Sequence, residues 1–175
     1  MSLSLHEAFV PNARQMIGSV RGLVDKAEAH CVEHSLEAAE LMEARLADDM
    51  WPLPMHVRSC WMHGAYTLDQ IPTGEFTPDF TDVPGSWDAM RDMLAQADEK
   101  LAATSESDMA AIEDTTVGFV LGGKRLMEFK AKDFLLSFNQ PNLMFHATTF
   151  YDILRHKGIA LTKRDFLGRM RLAGR

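Results

Sequence analysis

The sequence predicts an all-α fold, a four-helix bundle with a small β-hairpin just before the last helix. Three observations carry this. Four separated stretches repeat apolar residues at intervals of three and four, which places them on one stripe of a helix. Between the third and fourth the interval falls to two, with Val117, Phe119 and Leu121 ahead of Gly122-Gly123 and Leu126 and Phe129 behind, the pattern of a hairpin closed by a primed turn. The fourth stretch, Lys132 to Gly158, is long enough to cross a small domain.

The first helix is expected from Leu5 to about Cys31, on Leu5, Phe9, Met16, Val20, Leu23 and Ala27. Pro11 predicts a kink or a later start, and His30 and His34 are placed near the C-terminal end, where an imidazolium suits the helix dipole. Ser35 is expected to cap a short helix from Leu36 to Leu46 carrying Leu41, Met42 and Arg45. Asp48 and Asp49 mark a turn, and Pro52 and Pro54 fit the first turn of the second long helix. That helix runs to Ile71 on Val57, Trp61, Gly64 and Leu68, flanked by His56, Cys60 and His63.

Pro72, Gly74, Pro78, Pro84 and Gly85 predict a loop, with Phe76, Phe80 and Val83 pinned onto the bundle. Ser86 caps the third helix, which reaches about Thr104 on Trp87, Met90, Leu94, Ala97 and Leu101; Ser107 to Asp114 adds one loose turn. In the last helix Asp133 is the candidate cap and Gly158 the stop. Asn139, Asn142, His146, Thr149, Ile153 and His156 share a stripe there, surrounded by Phe134, Leu135, Phe138, Leu143, Phe145, Phe150 and Leu154. Such a polar row must be hydrogen-bonded or do chemistry, because an unpaired buried group costs about 1 to 3 kcal/mol. Pro141 predicts a kink that frees a carbonyl beside it.

Residues 1–175 read as a single domain, with 168–175 a loose tail. A formal net charge of -7 argues against a nucleic-acid partner, since phosphate recognition needs clustered Lys and Arg. The basic tail, Lys163, Arg164, Arg169, Arg171 and Arg175, is too short to outweigh it. Within it Phe166 and Leu167 look like anchors of a segment that docks on its own bundle or on a partner subunit. Cys31 and Cys60 lack CxxC spacing and read as free thiols of a cytoplasmic protein. No apolar run approaches the ~18 residues of a membrane span, and the charges at Glu7 and Arg14 argue against a secretory leader. The twelve methionines suit an adaptable core.

The stretch LGGKRLMEFKAKDFLLSFNQPNLMFHATTFYDILRHKGIALTKRDFLG, with LADDMWPL and the opening SLSLHEAFVP, resembles the DUF1993 family. Those proteins are grouped with the DinB/YfiT-like superfamily of proposed metalloenzymes. The resemblance covers nearly the whole chain. It implies a DinB-like four-helix bundle with one long crossover connection, frequent homodimers, and an activity that is not established for the family. In DinB-like relatives three histidines hold a divalent metal (zinc, nickel or iron), one from the second helix and two at HxxxH spacing on the last. Carried across, His56 or His63 is the first ligand and His146 the second. The third is missing, because Asn142 and Phe150 stand four residues to either side of His146.

His146 is the sharpest candidate, as a hydrogen-bonding or ligand-binding residue ahead of a metal ligand or an acid/base. His56 and His63 are two turns apart, about 10 Å along the axis, so at most one joins His146 and the other is expected at the rim. An acid such as Asp49 is a further candidate ligand. Ser59 and Cys60 read as helix neighbours rather than a nucleophile pair. In YDILRH, Asp152 is expected to pair with His156 and Arg155 to answer the helix dipole, while Tyr151 is a candidate for orienting a ligand. No GxGxxG, P-loop, GxSxG or HExxH occurs.

The expectation is a pocket between the second and last helices, lined by His56, Asn142, His146 and Tyr151, with His56 and His146 as candidate metal ligands. It would serve a metal-dependent transferase or hydrolase, or a descendant that has lost the chemistry. The alternative is a non-catalytic homodimeric module that binds a small apolar or amphipathic molecule there.

Overall fold

A computed structural model describes residues 3–173. Helix α1 (Leu5–His34) opens on a capping box in which Ser4 accepts from the Glu7 amide and the Glu7 carboxylate accepts from the Ser4 amide. It runs on through Pro11 and ends at Ser35, which takes the left-handed conformation with φ 54°. Ser35 thus closes α1 instead of opening the next helix. The short α2 (Ala38–Met42) is capped at Glu37 and is only five residues long.

The second bundle helix is a composite of α3 (Leu53–Trp61), a π turn (Met62–Tyr66), α4 (Thr67–Gln70) and a closing 3₁₀ turn (Ile71–Thr73). Pro52 is its N-cap and Pro54 lies in its first turn, where a missing N–H costs nothing. Strand β1 (Glu75–Phe76) follows, inside the segment expected to be loop. Phe76 is fully buried as anticipated, Phe80 packs on Trp51 and Arg58 while keeping 46% of its surface exposed, and Val83 is exposed.

Helix α5 (Trp87–Ala103) starts at Ser86, whose hydroxyl accepts from the Ala89 amide. The loose turn after it is a real helix, α6 (Glu106–Ile112), because Ser105 and Asp108 form a second capping box. Strands β2 (Thr116–Leu121) and β3 (Lys124–Lys130) pair antiparallel from Thr116↔Lys130 to Leu121↔Lys124. Gly122 and Gly123 both have positive φ, 57° and 74°, as the predicted primed turn requires. β1 adds in parallel to β2, so the hairpin is the larger part of a three-stranded sheet.

The last bundle helix is also composite: α7 (Ala131–Asp133), a π turn (Phe134–Asn139) and α8 (Gln140–His156). Lys130, not Asp133, is its N-cap. Rings of Phe76, Phe119, Phe134 and Phe138 bind the sheet to this π turn, with Phe76–Phe134, Phe119–Phe138 and Phe134–Phe138 centroids each 5.2 Å apart. Arg155 donates to the Leu161 carbonyl at 2.8 Å, and Asp152 forms no ion pair with His156.

The tail folds back on its own bundle. Helix α9 (Lys163–Leu167) lies on α1, where the Ser19 hydroxyl donates to the Phe166 carbonyl and Lys26 pairs with Asp165 at 2.9 Å. Arg171 donates to Asn12 at 2.7 Å, so the expected loose tail is docked this far; residues 174–175 lie outside the described residues.

Helix α1 packs on α5 and α8, and α3 packs on the same two, so α1 and α3 stand across a diagonal and α3 adjoins α8. Among the described residues no helix is long and apolar enough to cross a membrane.

Candidate functional site

The polar stripe anticipated on the last helix meets a second polar stripe on α3 and its π turn. His56, Ser59, His63 and Thr67 are buried on one side, and Asn139, His146 and Thr149 on the other. Three of these are imidazoles: His56 is 1% exposed, His63 5% and His146 7%. His56 comes from the first turns of α3, His63 from the π turn and His146 from the middle of α8. The rim position expected for one of the α3 histidines does not occur. The His146 ring is 5.2 Å from that of His56 and 5.9 Å from that of His63, and it lies nearly parallel to both His63 and Trp51.

Hydrogen bonding fixes the tautomers. The Trp51 carbonyl, 3.2 Å from Nε2 of His56, can only accept, so that nitrogen carries the proton. Neutral His56 then accepts at Nδ1, and Nδ1 of His146, 3.0 Å away, is the donor. His146 keeps a lone pair at Nε2. At the other end the Asn139 amide donates to the Phe134 carbonyl at 3.2 Å, which leaves its oxygen to accept from Nδ1 of His63 at 2.9 Å. Among the described residues neither His146 Nε2 nor His63 Nε2 has a hydrogen-bond partner.

Electrostatics keeps all three rings neutral at pH 7. Burial pushes His63 down to about 4, opposed by its bond to Asn139. Burial, then the neighbouring His56, His63 and Arg58, pushes His146 down to about 3. His56 is lowered by burial, against the opposing bond to the Trp51 carbonyl. Cys60 is wholly buried and its thiol is pushed well above the ordinary range, while Ser59 donates to the Met55 carbonyl at 2.8 Å. Neither is poised as a nucleophile.

His56 and His146 floor a cleft of ≈ 280 Å³ whose walls are Asp49, Met50, Trp51 and Phe145. Trp51 and Phe145 are both exposed at its mouth. A larger groove of ≈ 450 Å³, lined in part by Leu68, Pro72, Lys100 and Ile112, contains no histidine. The smaller cleft is the one that His56 and His146 line.

Two of the four residues expected there lie elsewhere. Asn142 turns its amide back onto the Phe138 carbonyl at 2.8 Å, beside Pro141. Tyr151 packs edge-on against Phe166 of α9, with ring centroids 5.8 Å apart. Asn139, on the same stripe as Asn142, is the asparagine that meets a histidine. Trp51 and Arg58 were not visible from periodicity, because one precedes the helix and the other interrupts its apolar stripe as an arginine. Arg58 is 0% exposed and stacks on Trp51 and Phe80, its guanidinium carbon 5.2 Å from each ring centroid. Among the described residues its Nε, Nη1 and Nη2 have no hydrogen-bond partner.

The metal implied by the resemblance asks for three protein ligands, and the residues present do not fit that set. Two imidazole nitrogens converge, at His56 and His146, but among the described residues no three His, Cys, Asp or Glu side chains gather to hold one ion. Asp49 borders the cleft without joining such a group.

Comparison with known proteins accords with this architecture. A crystal structure of a DinB family member protein from Shewanella denitrificans is similar at a TM-score of 0.83 and 25% identity, over 98% of this chain and 96% of that one. No curated protein matches the chain. The family model described as "Domain of unknown function (DUF1993)" matches residues 5–167, from the start of α1 to the end of α9, and the chain therefore belongs to the DUF1993 family.

Proposed function

We propose that the cleft between α3 and α8 binds a small amphipathic molecule. Its apolar body rests against Trp51 and Phe145, and a donor group such as a hydroxyl or amide N–H bonds to the lone pair on His146. The observation that carries this reading is the buried 3.0 Å contact between the two Nδ1 atoms, which holds His146 in a single tautomer at the floor of an aromatic-rimmed cleft. A neutral, oriented imidazole is a good acceptor and, for a suitable ligand, a general base. Phenylacetamide is a simple probe. Titrated into the protein at pH 7 and followed by ¹⁵N-detected histidine spectra, it should shift His56 and His146 together, and His146→Ala should abolish binding. Unmoved imidazole signals at saturating probe would end this reading.

A second reading seats zinc, nickel or iron on the Nδ1 atoms of His56 and His146, two of the three ligands that the resemblance implies, with His146 switched to its Nε2–H tautomer, for a metal-dependent transfer or hydrolysis. Its support is the His56 Nε2–H bonded to a backbone carbonyl, the orientation that metal-bound imidazoles commonly adopt. Metal analysis of wild type beside His56→Ala and His146→Ala separates the two, since only this reading expects near-stoichiometric metal lost in both variants. Assembly as a homodimer belongs to the same proposal. Leu121, Leu126 and Met127 are exposed on the hairpin, and light scattering measures the mass directly.

A further inference from the structure

We propose that Arg58 is the anion-recognition residue of this cleft, and that the molecule bound there carries a carboxylate next to its apolar body. The inference deepens the ligand-binding reading above and rests on it.

Among the described residues Arg58 has nothing to donate to. A guanidinium stays protonated in proteins and presents five N–H groups in one plane. Arg58 is fully buried, yet none of its three side-chain nitrogens has a partner. Burying a charge without pairing it is strongly unfavourable. The rings of Trp51 and Phe80 each lie 5.2 Å from the guanidinium carbon and attract the cation through their faces, but they leave the in-plane N–H fork unused. A carboxylate matches that fork with two parallel hydrogen bonds.

The surroundings indicate how a carboxylate reaches it. Trp51 is shared, since it walls the cleft and also stacks on Arg58. Phe80 is 46% exposed and sits in residues 77–86, which have neither helix nor strand. Arg58 does not itself line the cleft, and the Phe80 ring must turn aside for the guanidinium to meet the ligand beside Trp51. The acid whose charge reaches Arg58 is Asp79, but its Oδ1 is already engaged by the amide and hydroxyl of Thr81, at 2.8 and 2.7 Å. Asp79 therefore acts on Arg58 through its charge without hydrogen-bonding it, and the N–H fork stays open to a ligand carboxylate that would compete with Asp79.

The test compares mandelate with mandelamide, each of which keeps a hydroxyl to donate to His146 while only the first carries a carboxylate, by calorimetry and tryptophan fluorescence on the full chain. Wild type should bind the acid at least tenfold more tightly than the amide. Arg58→Met should erase that preference while amide binding survives, and Asp79→Asn should tighten acid binding by removing the competing carboxylate. Equal binding of acid and amide by wild type, or a preference that persists in Arg58→Met, overturns this inference and leaves the cleft reading standing. Failure of both probes overturns the two together. If Arg58→Met does not fold, the wild-type preference and Asp79→Asn still decide. Lost stability in Asp79→Asn with unchanged acid binding shows that Arg58 is satisfied internally, and the proposal falls.

Discussion

The α1–α5 seam and the α3–α8 seam are both helix contacts of one bundle, yet they treat polar groups in opposite ways. The buried residues of α5 are all apolar, among them Met90, Leu94 and Leu101, and those of α1 are apolar apart from Ser19, which donates to the tail. Charges stay at the solvent edge, where Arg14 meets Asp98 at 2.7 Å and Arg91 gathers Asp25, Glu28 and Asp88. Between α3 and α8 three histidines and an asparagine are sealed inside, and Arg58 is buried with no donor satisfied. The first seam is what stability alone requires. The second forgoes stability to hold polar groups in fixed positions, a pattern expected of functional sites.

The contrast is most severely tested at the apolar seam. Leu94→Ala should cost about 2 to 5 kcal/mol in chemical denaturation, the range for removing a fully buried leucine. The folded fraction should still bind the cleft probe with unchanged affinity, because Leu94 is not among the residues that line it.

Acid comes next. The buried histidines sit below their unfolded value near 6.5, so the unfolded chain binds more protons as the pH falls. Their contribution is complete above pH ~6.5 and is lost on the way down toward about 4 for His63 and about 3 for His146. Between pH 7 and pH 4, His63 alone should account for roughly 2 to 3 kcal/mol. His63→Gln should flatten that part of the stability profile, and an unchanged slope would mean that the ring is not buried in neutral form.

The smallest effect belongs to the solvent edge. Arg14→Ala should change stability by less than ~1 kcal/mol, and by less still at high salt, because the pair with Asp98 is exposed and screened. A larger loss would mean that the edge charges hold the seam together and would blur the distinction between the two.

Much of the architecture was legible because helical spacing and turn chemistry are written locally. Ser86, Pro52 and Pro54, the Gly122-Gly123 turn and Gly158 each stand at the boundary that their backbone preferences demand. The site was half legible. The resemblance to DinB-like relatives pairs His56 with His146, but of the two asparagines on the last helix's stripe the expectation takes Asn142 over Asn139, and it puts Tyr151 in the pocket on the reach of its hydroxyl. Asn139 belongs to the π turn at Phe134–Asn139, whereas Asn142, His146 and Tyr151 share the regular helix that follows it. A wider turn changes the angular phase of a helix, and apolar spacing read at 3.6 residues per turn does not register it. Strand β1 escaped for a related reason: two residues carry no period, and only pairing with β2 makes them a strand.

By itself the sequence determined where the long helices run, several of their boundaries, that a hairpin precedes the last helix, and which residue types are available for chemistry. Tertiary structure alone decided that α3 and α8 are neighbours, that His146 meets both His56 and His63, that the tail docks on α1, and that Arg58 is buried without a partner. The division is physical. Periodicity and capping depend on residues within a turn or two of one another, whereas adjacency, helix phase and burial of charge arise only when distant segments compete to bury the same surface.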